Sequence, residues 1–159
     1  MKSINTKYGG YLFRSRLEAR YAVLFDQLKL QWEYESEDFV LDTHLGRYLP
    51  DFKVQVPGKY DFFIEVKGKA PTDLERSKIA CLCDLETAYG AILFGTPDFN
   101  WSDAVFVHKE GCTADEGFGD FLSYLDISER QWNEAVTTAR SARFEFGETP
   151  KRRRGACHG

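Results

Sequence analysis

Glu65 and Lys67 close the run Tyr60–Asp61–Phe62–Phe63–Ile64–Glu65–Val66–Lys67, which is otherwise built from residues that favour extended backbone. In a strand the side chains alternate faces, so Glu65 and Lys67 project from one side and Ile64 and Val66 from the other. Ahead of this run, Arg47–Tyr48–Leu49–Pro50–Asp51–Phe52–Lys53–Val54–Gln55–Val56 also alternates, and Pro57–Gly58 turns the chain back. The short connection predicts an antiparallel pair that carries Asp51 to the neighbourhood of Glu65. Two crowded carboxylates repel unless a cation neutralises them, and a hard divalent ion such as Mg²⁺ accepts a few oxygen ligands together with waters and a substrate phosphate. Lys67 beside such an ion would orient an attacking water or neutralise charge on phosphoryl oxygens.

The flanking text supplies the layers that would cover this pair. Gly9–Gly10 between aromatic and aliphatic residues predicts a tight hairpin. Ser15-x-x-Glu18 then caps a helix with the stripe Leu17, Tyr21, Leu24 and Leu28. Residues 30–34 and 38–41 read as one or two strands, followed by a turn at 43–46. Thr72-x-x-Glu75 opens a second helix with the stripe Leu74, Cys81, Leu82, Leu85 and Tyr89, ending at Gly90. Ala91–Ile92–Leu93–Phe94 has the wholly apolar character of a buried strand after a β–α–β crossover, and Val105–Phe106–Val107 reads as another. A short helix at Phe121–Leu125 and one capped by Ser128-x-x-Gln131, carrying Trp132, Val136 and Ala139 towards Phe146–Gly147, complete the series.

Charge and cysteine content narrow the function classes. The 21 basic and 25 acidic residues of the 159-residue chain give −4. Residues 1–80 hold 13 Lys and Arg against 12 Asp and Glu, and residues 81–159 hold 8 against 13, so the acidic excess lies wholly in the second half. Lys7, Arg14 and Arg16 before and at the start of the first helix, and the block Lys151–Arg154, are positioned to meet phosphate. No apolar run approaches the roughly 20 residues of a membrane span. The N-terminal residues lack the apolar core of a secretory signal, so the expected compartment is the cytoplasm, where Cys81, Cys83, Cys112 and Cys157 stay reduced. Their spacing is not that of a paired metal site. The expected organisation is one domain over 1–146 and a basic, poorly ordered tail over 147–159.

Pro50–Asp51, thirteen intervening residues and Glu65-x-Lys67 resemble the signature of the PD-(D/E)xK nuclease superfamily. Phe13–Arg14–Ser15–Arg16–Leu17–Glu18–Ala19–Arg20, Trp32–Glu33–Tyr34–Glu35, Tyr48–Leu49–Pro50–Asp51–Phe52 and Ile64–Glu65–Val66–Lys67–Gly68 extend the likeness to small phage-encoded members, over roughly residues 8–95. The resemblance implies an α/β fold with an αβββαβ restriction-endonuclease-like core, a central mixed sheet flanked by helices, to which the C-terminal helices are added. It also implies Mg²⁺-dependent hydrolysis of DNA phosphodiesters, with Mn²⁺ able to substitute. Carried over residue by residue, Asp51, Glu65, the Val66 carbonyl and Glu18 would hold the metal. Glu18, Asp51, Glu65 and Lys67 would form the catalytic set, acting in the host cytoplasm if the chain is phage-encoded.

Lys78 falls within the sheet-facing stripe of the second helix, so its ammonium must either snorkel or reach the site; with Lys7, Arg14 and Arg16 it makes up the candidate DNA contacts. Tyr8, Tyr11 and Trp32 read as packing, Arg140 and Arg143 as surface. Beside DNA, the expected partners are a second copy of the chain, for double-strand cutting, and a recruiting protein, since no separate recognition motif is evident. The alternative function is a non-catalytic DNA- or protein-binding module that keeps the nuclease fold.

Overall fold

The computed structural model describes residues 4–42, 44–99, 103–111, 113–114 and 117–144. The basic tail with Cys157, and Cys112, lie outside the described residues, whereas the last helix, expected to run towards Phe146–Gly147, ends at Ser141, after which Ala142 is extended (ψ 134°). In chain order the elements are β1 (Thr6–Tyr8), β2 (Tyr11–Phe13), α1 (Arg16–Gln27), β3 (Gln31–Tyr34), β4 (Phe39–Val40), β5 (Arg47–Tyr48) and β6 (Phe52–Gln55). They continue with β7 (Phe62–Lys67), α2 (Asp73–Glu86), β8 (Tyr89–Phe94), β9 (Asp103–Val107), β10 (Thr113–Ala114), α3 (Phe118–Tyr124) and α4 (Glu129–Ser141).

The architecture is α/β. One mixed sheet runs in the order β10-β9-β8-β7-β6-β3, while β1–β2 and β4–β5 form separate two-stranded ribbons. Among the described residues only β7 and β8 pair in parallel, because α2 carries the chain from one end of the sheet back to the other between them. Gly9 and Gly10 both have positive φ, as the expected turn between β1 and β2 requires.

The two faces of β7 sort its residues into two cores. Phe62, Ile64 and Val66 meet α1, α3 and α4 through Tyr21, Leu24, Phe121 and Trp132, whereas Phe63 meets Ile79, Leu82 and Cys83 of α2. Burying a side chain such as Leu24 or Phe25 is worth roughly 1.5–3 kcal/mol, and these burials fix which face of the sheet each helix occupies. Glu65 and Lys67 share the side of β7 that carries Phe63, so they lie on the α2 face.

Three further sequence expectations are corrected. The run 47–56 is two strands, not one: β5 pairs with β4 and β6 with β3 and β7, with Pro50, which has no N–H to give a ladder, at the break. The α2 stripe is shifted: Leu74 and Leu85 are exposed, and Ile79, Leu82 and Cys83 face the sheet. This helix also ends early, at Thr87 with φ 51°, and Gly90 already belongs to β8. Gly90 is needed there for space, since a Cβ would stand 2.8 Å from the Cys83 Sγ. Among the described residues no helix is long and apolar enough to cross a membrane.

Candidate active site

Asp51 directly precedes β6, whose register sets Phe52 opposite Ile64; one step further along the same antiparallel pair, Asp51 faces Glu65. Its backbone N–H donates to Glu65 Oε1 at 3.0 Å, and its own Oδ2 accepts from the Val66 N–H at 2.8 Å. The two acids are thus fixed to opposite strands by backbone groups. Glu65 is only 7% exposed, and burial raises its pKa against the opposing pull of Lys67 and of hydrogen bonding. Burial, then the charges of Glu65 and Glu18, push Asp51 well above the ordinary carboxylate range. Without a cation between them, the two acids do not both ionise easily.

Lys67 extends from the last position of β7, its Nζ 2.8 Å from Glu75 Oε2 and 3.6 Å from Glu65 Oε2. Burial works against its charge, but the hydrogen bond to Glu75 and the neighbouring carboxylates outweigh that and raise the pKa above that of a free lysine. Glu75 has two tasks. Its Oε1 accepts from the Thr72 N–H at 2.9 Å as the reciprocal half of the α2 capping box, leaving Oε2 for Lys67. The Lys67 contact, followed by the Thr72 N–H, lowers the Glu75 pKa. Sequence reasoning placed Glu75 in the cap and missed the lysine; the only signal available was that α2 starts five residues after Gly68.

Glu18 is buried at the N-terminus of α1 and close enough to raise the Asp51 pKa, but its carboxylate is occupied otherwise. Oε2 accepts from the Ser15 hydroxyl at 3.2 Å and from the Tyr34 hydroxyl at 3.3 Å. The Ser15 hydroxyl in turn accepts from the Glu18 N–H, so the cap is present with its second leg made to the hydroxyl. Among the described residues no three His, Cys, Asp or Glu side chains converge closely enough to surround an ion. The site proper is therefore the Asp51–Glu65 pair, with Glu18 beside it.

The donor set fits a hard cation. Asp51 and Glu65 offer only oxygen ligands, and Mg²⁺ commonly takes one or two carboxylates and completes its shell with water and phosphate. An unsatisfied oxygen also lies at hand: the Tyr48 hydroxyl is buried without a hydrogen-bond partner. It lies beside Glu65, whose carboxylate, after burial, raises its pKa, while the contact in turn favours the charged form of Glu65.

Tyr48, Glu65, Lys67, Glu75 and Lys78 border one recess of about 280 Å³. Lys78 therefore borders the recess next to Glu65 and Lys67. Arg14 is instead drawn to Glu35, 2.6 Å away, whose N–H donates to the Asp51 carbonyl; Arg16 is exposed at the first position of α1, and Lys7 lies on the β1–β2 ribbon opposite Leu12. His44 sits exposed in the turn between β4 and β5. Trp32 packs on Tyr11 at 5.1 Å, as the packing reading expected, and Arg140, exposed as expected, donates to the Pro97 carbonyl at 3.0 Å.

Comparison with protein-family models, with curated proteins and with solved structures finds no match to this chain.

Proposed function

We propose that this chain is a divalent-metal-dependent deoxyribonuclease of the PD-(D/E)xK type, hydrolysing phosphodiester bonds in DNA. The observation that carries the reading is the opposition of Asp51 and Glu65 across β6 and β7 with Lys67 on the same face, at the sheet end where the β7–β8 parallel pair finishes. The element order supports it. With the β1–β2 and β4–β5 ribbons set aside, α1, β3, β6, β7, α2 and β8 run as αβββαβ, the order expected of a restriction-endonuclease-like core.

Asp51 and Glu65 would hold Mg²⁺ or Mn²⁺, with the Val66 carbonyl and Glu18 as the further ligands that the resemblance implies. Such an ion, when bound, supplies Lewis-acid polarisation of the phosphate and a bound water of lowered pKa. The protein's own groups do the rest. Lys67, its pKa raised, remains an ammonium at neutral pH and so is suited to balance charge growing on phosphoryl oxygens, not to remove a proton from water. Glu75 keeps that ammonium beside Glu65, and the capping box keeps Glu75 in place. Phosphoryl transfer asks chiefly for positioning and charge stabilisation, so the site needs no nucleophilic Ser–His or Cys–His arrangement.

The test is incubation of supercoiled plasmid, linear duplex and single-stranded DNA with Mg²⁺ or Mn²⁺, beside Asp51→Ala and Lys67→Ala variants. Metal-dependent cutting by the wild type alone supports the reading. Equal behaviour of all three proteins overturns it, and DNA retention without cutting would favour the non-catalytic binding module.

A further inference from the structure

We propose that the cleft at the β3 edge of the sheet is the docking place of this chain's own basic block, Lys151–Arg154, with an arginine of the block on the face of Trp32 and ion pairs to Asp26 and Glu33. The inference goes beyond the nuclease reading and does not depend on it.

The first observation is the chemistry of the cleft. It holds about 370 Å³ and is bordered by Asp26, Leu30, Gln31, Trp32, Glu33 and Gln55: two acids and two amides beside an indole, with no basic residue. β3 is the last strand of the sheet on this side, with no strand beyond it among the described residues. Trp32 is held there, its Nε1–H donating to Asp26 Oδ1 at 2.8 Å while Asp26 Oδ2 accepts from the Tyr8 hydroxyl. Both donors are neutral, so they leave the Asp26 charge uncompensated. Glu33 is exposed as well, and Lys53, opposite it across the β3–β6 pair, is drawn instead to Glu37 and Asp61, 3.7 Å from each. Among the described residues neither Asp26 nor Glu33 forms an ion pair. A guanidinium suits this set, since it stacks flat on an indole and donates in a fork to carboxylate and amide oxygens.

The second observation is where the described chain stops. Its last residue, Phe144, sets its ring edge-on to Tyr8 with the centroids 6.3 Å apart, and the Arg20 guanidinium covers it at 5.4 Å. Tyr8 thus bridges the end of the described chain to Asp26. Lys151 follows seven residues after Phe144, and seven extended residues reach roughly 23–25 Å, enough to bring the block to the cleft. The charges match: four consecutive cations meet two acids that lack a countercharge. Because the block belongs to the same chain, it is also present at a high effective concentration. Docked in the cleft it is withheld from phosphate, so a polyanion and the cleft compete for it.

Carbodiimide cross-linking of the full chain tests the docking, since it joins a carboxylate to a lysine amine only where the two touch. Lys151 should be joined to Glu33 or Asp26 in the species of monomer mass, and the link should fade in about 0.5 M NaCl, where exposed ion pairs are screened. A chain carrying Arg152→Ala, Arg153→Ala and Arg154→Ala should lose that link, because the guanidinium groups hold the block in place. Trypsin cleavage after residues 151–154, followed by mass spectrometry, should run about threefold faster in Glu33→Gln than in the wild type, with cleavage elsewhere and the melting temperature unchanged. Lys151 links found only in species of dimer mass would make a second copy the occupant and overturn docking within one chain. Links scattered over other carboxylates, or equal trypsin rates in the wild type and Glu33→Gln, would overturn it as well. None of these readouts uses DNA, so the nuclease reading stands or falls separately.

Discussion

Asp51 and Glu65 are joined across the start of β6 and the end of β7, the Asp51 N–H donating to Glu65 Oε1 at 3.0 Å. The contact sets the two carboxyl groups together on one face of the sheet, and burial then makes it costly for both to be charged.

The pH dependence of the metal-free protein follows. Both acids have folded pKa values above their unfolded ones, so folding takes up protons, and the contribution of the pair to stability falls as pH rises from the unfolded values through the folded ones. Asp51→Asn should flatten that decline and raise the melting temperature at neutral pH in chelator. It should also abolish the stabilisation that millimolar Mg²⁺ gives the wild type, which grows with pH as the acids ionise. Thermal melts at several pH values, with and without Mg²⁺, check both signs.

Glu75 gives the opposite slope. Its folded pKa is lowered by Lys67 and by the Thr72 N–H, so its contribution is present above the unfolded carboxylate value and lost as pH falls through the folded one. Glu75→Ala should destabilise the protein by about 1 kcal/mol at neutral pH, as a partly exposed ion pair and half of a capping box allow, and by less in acid. Because the same change frees Lys67 from its 2.8 Å partner, the turnover rate on DNA should fall more than substrate affinity. Denaturant melts at two pH values and steady-state cleavage rates measure these effects.

Only part of this geometry was legible in the sequence. Asp51, Glu65 and Lys67 could be placed together because strand periodicity and a two-residue turn signal fix register over short distances. The helix caps at Thr72 and Ser128 were readable for the same local reason, and both are complete capping boxes. The contact between Lys67 and Glu75 was not readable, since it depends on where α2 returns onto the sheet and not on any spacing within an element. Likewise the α2 stripe was misread because Leu74 and Leu85 have the right residue type and the wrong phase, and only packing on Phe63 and Ile92 selects Ile79, Leu82 and Cys83. The orphaned Tyr48 hydroxyl has no sequence signal at all.

Cys83 should be chemically inert in the folded protein. It is fully buried, and burial pushes its thiol up to about 12, while Cys81 two residues earlier is half-buried. In a Cys112→Ser, Cys157→Ser background, iodoacetamide at neutral pH should label Cys81 slowly in the folded protein and Cys83 only after denaturation. Mass spectrometry of the digested protein reads the order. Faster labelling of Cys83 would show that α2 does not pack on the sheet as described.

Gly90 marks the closest approach of β8 to α2. Gly90→Ala would bring a Cβ to 2.8 Å from Cys83 Sγ and 3.2 Å from both Ile79 Cδ1 and the Phe63 carbonyl oxygen. Overpacking of this kind costs about 1–3 kcal/mol, and pairing it with Cys83→Ala should recover much of the loss by removing the nearest atom. Chemical denaturation of the single and double variants measures the coupling.

A divalent cation settling between Asp51 and Glu65 would show in diffraction from crystals soaked in millimolar MnCl₂. Anomalous density is expected within coordination distance of an oxygen of each carboxylate, with Lys67 Nζ still beside Glu65, and no such density in Asp51→Asn crystals. Wild-type crystals in which the two side chains diverge into solvent, with no manganese held by them, would contradict this metal binding.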